Sequence, residues 1–374
     1  MDQYRGALAS QNIKELYDAQ VIKADSPLLS DQIQPASIDL RLGKIAYRVR
    51  TSFLPGLGRT VKDCIDKLAM HQIDISNGAV LEKGCVYILP LQESLALPTS
   101  LTAAANPKSS TGRLDVFTRL ISDEAREFDQ VTAGYHGQLF AEICPQTFSV
   151  LVRTGSRLSQ LRVRSGQSFL DDFEHVQLHE TRQLINEKLE PEYIRGGMPL
   201  TADVLGQDSD GLIGYRAKRH SGVIDVDKIG ACSISEFWEP IYTDHLTTTS
   251  YSNQSNVGLI LDPGEFYILA SKESVHVPVD HAAEMVAYDN LVGEFRVHYA
   301  GFFDPGFGAP EAGGEGARAV LEVRSYEVPF LLEHGQYVGR LVYESLNSMP
   351  EKVYGQGLSS NYQSQGLKLS KHFR

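Results

Sequence analysis

Lys108-Ser109-Ser110-Thr111-Gly112-Arg113 sets a run of hydroxyls and a glycine between two cations. That combination suits a phosphate group: hydroxyls and backbone N–H groups donate, glycine lets the backbone approach, and arginine offers a planar fork. The same residues also describe an ordinary turn, so this segment alone leaves both readings open. A second chemical signal is a glutamate inside an apolar strand. Glu142 follows Leu139-Phe140-Ala141, and Glu322 lies in Val320-Leu321-Glu322-Val323. A carboxylate on an inward strand face is unusual, because burial is costly unless the group is paired or used. Two turns complete the set. Ile33-Gln34-Pro35-Ala36-Ser37-Ile38-Asp39-Leu40-Arg41-Leu42-Gly43 feeds an alternating strand, and Gly301-Phe302-Phe303-Asp304-Pro305-Gly306-Phe307 carries an acidic turn.

The two glutamates stand 180 residues apart, and that spacing is general. Leu81-Glu82-Lys83-Gly84-Cys85-Val86-Tyr87-Ile88-Leu89 recurs as Leu261-Asp262-Pro263-Gly264-Glu265-Phe266-Tyr267-Ile268-Leu269. Over positions 81–98 eight of 18 residues are identical to those 180 further on, where chance gives roughly one. A period this long is a duplicated domain rather than a solenoid repeat. The copies differ in their chemical parts. Opposite the serine-rich segment the second copy has Tyr288 to Glu294, which is acidic and repels phosphate. Where the second copy has Asp304-Pro305-Gly306-Phe307, the first has Thr132-Ala133-Gly134-Tyr135.

The elements that must hold these residues read as β structure. Short alternating runs broken by Gly, Pro, Asn and Asp span 80–91, 139–143, 150–153 and 158–163. In the second copy they span 257–270, 319–323, 329–332 and 337–343. Many short strands at close spacing indicate a sandwich or barrel. A short helix opens the chain, with Ser10 as cap and Ile13, Leu16 and Tyr17 on one face. Residues 180–189 are helix-compatible within a structured connection. The expected organisation is a first domain over 1–166, a connection over 167–210, a second domain over 211–349 and a tail over 350–374. By composition that tail reads as disordered.

The chain has 374 residues, a net charge of −12 and a pI near 5.4. That argues against polymeric nucleic acid, whose binding needs many cations, but leaves room for a nucleotide. Cys64, Cys85, Cys144 and Cys232 form no C-x-x-C pair, so neither a zinc knuckle nor a disulfide framework is indicated. With no apolar leader or long apolar span, the expectation is a soluble cytoplasmic protein.

These segments together resemble the dCTP deaminases of the deoxyuridine-triphosphatase superfamily. The Q-P-x-S-x-D-x-R-L-G, S-S-x-x-R, I-D-P-G-[FW]-x-G and x-L-E-[FL] segments of that family have counterparts here in order, spread over both copies. Family members end with a Tyr, a Lys seven residues later and a Gln four beyond. Here Tyr354, Asn361 and Gln365 stand at that spacing. The resemblance implies two tandem, mainly β, jelly-roll-like domains of the dUTPase type. It implies hydrolytic deamination of dCTP to dUTP and ammonia, magnesium with the triphosphate and no zinc, consistent with the missing H-x-E…P-C-x-x-C signature. It assigns the general acid/base to Glu322, helped by Ser109 and Arg113, with Glu142 as the alternative. Nucleotide contacts fall to Lys108 to Arg113, Asp304, Val320, Leu321, Glu322, Tyr354 and Gln365, the last two on the 350–374 tail, which the resemblance has closing over the nucleotide. dTTP is a candidate inhibitor, a homo-oligomer is a candidate assembly, and no nucleic-acid polymer or membrane is expected as a partner.

In single-domain members of the family the site forms between subunits. Here each copy lacks what the other kept, so one composite site per chain is the natural reading. Asn361 removes one phosphate contact, which Lys368 or Lys371 would restore unless both are solvated tail charges. Two other readings stay open. A dUTP pyrophosphohydrolase or a bifunctional enzyme continuing to dUMP would release pyrophosphate. A non-catalytic deoxynucleotide sensor would release nothing.

Overall fold

The structure is a computed structural model that describes residues 5–206, 211–251, 254–287, 295–297, 301–355 and 365–374. It is mainly β, in two lobes whose ladders repeat at the sequence offset. In the first lobe, strand Val86–Ala96 pairs antiparallel with His136–Pro145, placing Ile88 opposite Glu142. In the second, Phe266–Val275 pairs with Ala317–Ser325, placing Ile268 opposite Glu322. Leu161 faces Ala105 in one lobe and Leu341 faces Met285 in the other. The turns repeat too. Glu82 N donates to the Tyr87 hydroxyl at 3.1 Å, and Asp262 N donates to the Tyr267 hydroxyl at 2.9 Å. The Thr132–Tyr135 turn matches Asp304–Phe307: Tyr135 O accepts from Leu97 N and Phe307 O from Val277 N, both at 2.9 Å.

The repeat reaches further back than the sequence indicated. Strand Met198–Asp203, inside the expected connection, belongs to the sheet of the second lobe and is the counterpart of Ile38–Arg41. Ile38 pairs with Leu161, and Met198 pairs with Leu341. Buried Glu93 accepts from Arg41 N at 2.7 Å, and Glu273 accepts from Thr201 N at 2.8 Å. The offset from Ile38 to Met198 is 160 against 180 downstream, so the second copy carries 20 more residues between these landmarks. Part of this longer segment reaches back over the first lobe, where Ile224–Asp225 runs parallel to Val150–Val152.

The helices also depart from expectation at their ends. The first spans Ser10–Asp18 with Ala9 at the cap position, so Ser10 is its first residue rather than its cap. The helix of the connection is Asp172–Arg182, earlier than 180–189. Asp171 and Glu174 form a reciprocal capping box at its start, and Gln183, at φ 49°, ends it. Among the described residues no helix is long and apolar enough to cross a membrane. The four cysteines are free.

The lobes share an apolar core. Phe266, Ile268, Val320 and Trp238 of the second pack with the interior of the first, Phe148 meeting the Trp238 ring edge-on at 5.4 Å. Beside this core lies a fully buried ionic group. Arg162 and Arg164 each reach Glu344 at 2.7 Å. Burial pushes the Glu344 carboxyl up, yet the two guanidinium groups hold it down, to about 2. The equivalent face of the first lobe, bearing Ile88 and Phe140, is covered differently. Val61 and Ile65 of the helix Val61–Leu68 pack there together with Phe53 and Phe128.

Candidate active site

A cavity of about 640 Å³ opens where the lobes meet, and both lobes and the tail line it. From the first lobe come Lys108, Ser109, Ser110 and Arg113, on the single helical turn Ser109–Gly112 that follows strand Leu101–Pro107. From the second come Val320 and Glu322, alternate residues of one strand and so on one face. Asp304 stands in the turn that Gly306 closes at φ 93°. A Cβ there would lie 2.4 Å from Val353 Cγ1 and 3.1 Å from Tyr354 O, so only glycine permits the close approach of the tail.

Glu322 is almost wholly buried, and burial pushes its carboxyl up to about 8 against the opposing pull of Arg113. Arg113 Nε lies 3.9 Å from Glu322 Oε1. Its two terminal nitrogens both donate to Gln365 Oε1 at 3.1 Å, and Nη1 also donates to Lys368 O at 2.9 Å. Burial likewise raises Asp304, to about 6, with Arg162 and Lys108 opposing. Asp304 Oδ1 sits 3.6 Å from Arg162 Nη2, beyond a good hydrogen bond, and is a buried acceptor without a donor among the described residues. It suits a ligand hydroxyl or N–H. One end of the cavity is densely charged, with Lys108, Arg157 and Lys371 among Asp31, Asp39 and Asp227. Lys108 pairs with buried Asp39, Arg157 reaches Asp31 at 2.8 Å and Asp39 at 3.4 Å, and Lys371 lines the same wall. Burial, then Lys108 and Arg157, draw the Lys371 ammonium below its ordinary range. The other walls are aromatic: Phe302, Phe303, Phe307 and Tyr354, the last two rings 5.6 Å apart. Such a cavity can hold a ring against aromatic faces, an anion at the charged end, and a carboxyl that exchanges a proton near neutral pH.

Of the residues singled out in the sequence, Lys108, Ser109, Ser110, Arg113, Asp304, Val320, Glu322, Tyr354 and Gln365 come together here. Thr111 and Gly112 are buried within the helical turn and do not line the cavity. Leu321 points the other way, into the core of the second lobe, as strand alternation requires. Glu142 is elsewhere. It pairs with Arg119 (Nε at 3.1 Å), whose guanidinium lies 3.5 Å from the Phe128 ring centre, beneath the apolar cover described above. The two glutamates share a register but not a neighbour. Asn361 and the acidic segment Tyr288 to Glu294 lie outside the described residues.

The sequence reading missed Asp39 and Arg157 as wall residues. Asp39 lies in a segment already singled out; Arg157 had no motif to mark it. Of the two roles left open for Lys371, the structure places it on the cavity wall rather than in solvent. The last ten residues are packed rather than disordered. Leu369, Ser370 and His372 are buried, Ser370 Oγ donates to Ser110 O at 2.8 Å, and the Phe373 ring lies 5.7 Å from that of Trp238.

The family model described as the 2'-deoxycytidine 5'-triphosphate deaminase N-terminal domain matches residues 4–167, and that of the C-terminal domain matches 171–373. A crystal structure of 2'-deoxycytidine 5'-triphosphate deaminase from Agrobacterium tumefaciens is 55% identical. It superposes with a TM-score of 0.83 over 91% of this chain and 98% of that one. A Coprothermobacter proteolyticus protein named "dCTP deaminase, dUMP-forming" is 31% identical over 152 residues, 40% of this chain and 76% of that protein. One from Halobacterium salinarum with the same name is 34% identical over 110 residues, 28% of this chain and 52% of that protein. With its two dUTPase-like β domains in tandem, the chain belongs to the 2'-deoxycytidine 5'-triphosphate deaminase family.

Proposed function

We propose that the chain hydrolyses the 4-amino group of dCTP, giving dUTP and ammonia, with Glu322 as the proton carrier. The observation that carries this reading is the buried Glu322 carboxyl beside Arg113, facing a cavity that Lys108, Arg157 and Lys371 also line. Water loses a proton as its oxygen bonds to C4 of the cytosine ring, and the 4-amino group gains one before it leaves as ammonia. A single carboxyl can take the first proton and deliver the second, and a value near neutrality suits a group that must do both. Arg113 orients the attacking water, and Ser109 holds the pyrimidine edge. Asp304 accepts from the sugar, and Tyr354 and Phe307 pack against it. Lys108, Arg157 and Lys371 meet the phosphates.

Magnesium is expected with the triphosphate. Asp31 and Asp39 at the charged end already face Arg157 and Lys108, so the ion takes its ligands mainly from phosphate oxygens and water, as magnesium commonly does. dTTP, with the same sugar and phosphates, is expected to compete. The free cysteines suit a reducing cytoplasm.

The decisive experiment is ammonia release from dCTP by purified protein, with nucleotide products separated by chromatography. No ammonia under magnesium-replete conditions would leave a dUTP pyrophosphohydrolase or a sensor, which pyrophosphate release from dUTP separates. A second reading is favoured by the names of the Coprothermobacter and Halobacterium relatives, which are called dUMP-forming. If this chain shares that property, dUMP and pyrophosphate appear in place of dUTP.

A further inference from the structure

We propose that Gln365 is a positioning residue for this reaction: it clamps both terminal nitrogens of Arg113, so that the Nε edge of the guanidinium is the edge presented to Glu322. Both ends of the Gln365 amide are occupied by protein. Its Oε1 accepts from Arg113 Nη1 and Nη2, each at 3.1 Å, and its Nε2 donates to Arg318 O at 3.1 Å. The backbone is fixed as well, since Arg318 N donates to Gln365 O at 2.9 Å. Arg318 is anchored in turn, its guanidinium donating to Asp203 at 2.6 Å and to Ser271 O at 2.5 Å. A continuous chain of bonds thus runs from the second lobe's sheet through the tail to the arginine of the first lobe. A guanidinium is a flat fork with three donor edges, and holding one edge dictates which of the others faces a neighbour. Without the clamp Nη2 loses its Gln365 partner while Nη1 keeps Lys368 O at 2.9 Å, so the guanidinium can turn about that contact and its charge is held less firmly at 3.9 Å from Glu322. The inference assigns Gln365 a task other than touching the nucleotide, and it rests on reading Glu322 as the proton carrier.

The test is a titration that needs no turnover. Protein labelled with carboxyl-13C glutamate is followed by NMR from pH 5 to 10, with the Glu322 resonance identified by its loss in Glu322→Gln. Arg113 pulls the Glu322 carboxyl down, so releasing it moves the titration upward. In Gln365→Ala the Glu322 midpoint is expected to rise by about one pH unit, the lower end of what an opposite charge within 4–6 Å supplies. Gln365→Leu keeps most of the volume, removes the acceptor oxygen and adds no charge, and is expected to move it the same way. In the pH dependence of dCTP turnover the rising limb moves with it, kcat falls, and KM changes less than about threefold. A raised KM with the Glu322 titration unmoved in whichever variant folds overturns the inference and makes Gln365 a nucleotide ligand. If wild-type protein releases no ammonia, the function fails instead, and the NMR titration still reports on the clamp.

Discussion

Glu322→Gln should make the protein both less active and more stable, and the size of the second effect follows from the burial of the carboxyl. An ordinary glutamate ionises near 4.5, whereas Glu322 in the folded chain holds its proton up to about 8. Its folded-state value is raised, so the folded chain binds this proton more tightly than the unfolded one. The stabilisation is therefore full below pH 4.5 and is lost as pH climbs through 8. From 4.5 to pH 7 lie about 2.5 pH units, each worth about 1.4 kcal/mol, so the wild-type fold gives up about 3 kcal/mol at this position by pH 7. The amide has the shape of the protonated acid and cannot ionise, so the variant avoids that loss. Urea unfolding of both proteins at pH 5, 6, 7, 8 and 9 measures it. The two should lie close together at pH 5 and diverge as pH rises, the variant being the more stable by about 3 kcal/mol at pH 7 and about 4–5 kcal/mol by pH 9. Turnover should meanwhile fall by about 10²–10⁴-fold or more, as loss of a general acid/base does. Parallel stability profiles, or a variant less stable at pH 8, would refute the argument that burial without full compensation raises this carboxyl.

Three further outcomes follow from the geometry. Arg113→Ala should abolish deamination, and mixing it with Glu322→Gln should restore none. Both groups of one cavity belong to one chain, and regained activity on mixing would show a site shared between chains. Glu142→Gln should leave most activity intact, while Glu142→Ala should lower stability by about 2 kcal/mol in urea titrations. That is less than for a fully buried pair, because Arg119 reaches solvent. Gly306→Ala forces a Cβ against Val353 in a left-handed backbone. It should raise KM for dCTP by displacing Asp304 and Tyr354, and lower stability by about 1–3 kcal/mol, read by thermal unfolding.

How much of this was legible in the sequence depended on whether a role was written in side chains. Gly84, Tyr87, Ile88 and Glu93 recur as Gly264, Tyr267, Ile268 and Glu273, so the duplication is plain in the sequence. The correspondence of Ile38–Arg41 with Met198–Asp203 is not. It rests on backbone pairing and on a carboxylate accepting from a main-chain N–H, a contact that constrains the glutamate and leaves the strand residue free. The 20 extra residues of the second copy then break the offset. Leu321 was over-included because a motif was carried across whole, although period-2 alternation excludes it once Val320 and Glu322 face inward. Arg157 carried no local signal, and Lys371 only a choice between two roles, because this charged wall exists only where distant strands and the tail converge. The difference between Glu142 and Glu322 was likewise invisible. Their strands match, and what separates them is the helix Val61–Leu68 lying over one while the other lobe lies over the second.

That both walls of the cavity belong to one polypeptide also decides how the protein behaves when scarce. A pocket assembled from free subunits comes apart as they are diluted, because each encounter depends on concentration. Here the encounter is unimolecular. A tethered partner acts as though present at about millimolar concentration, and the shared apolar core and the Arg162–Arg164–Glu344 group add to that advantage. Catalytic output per chain should therefore stay level at copy numbers so low that an assembly of separate lobes would have dispersed.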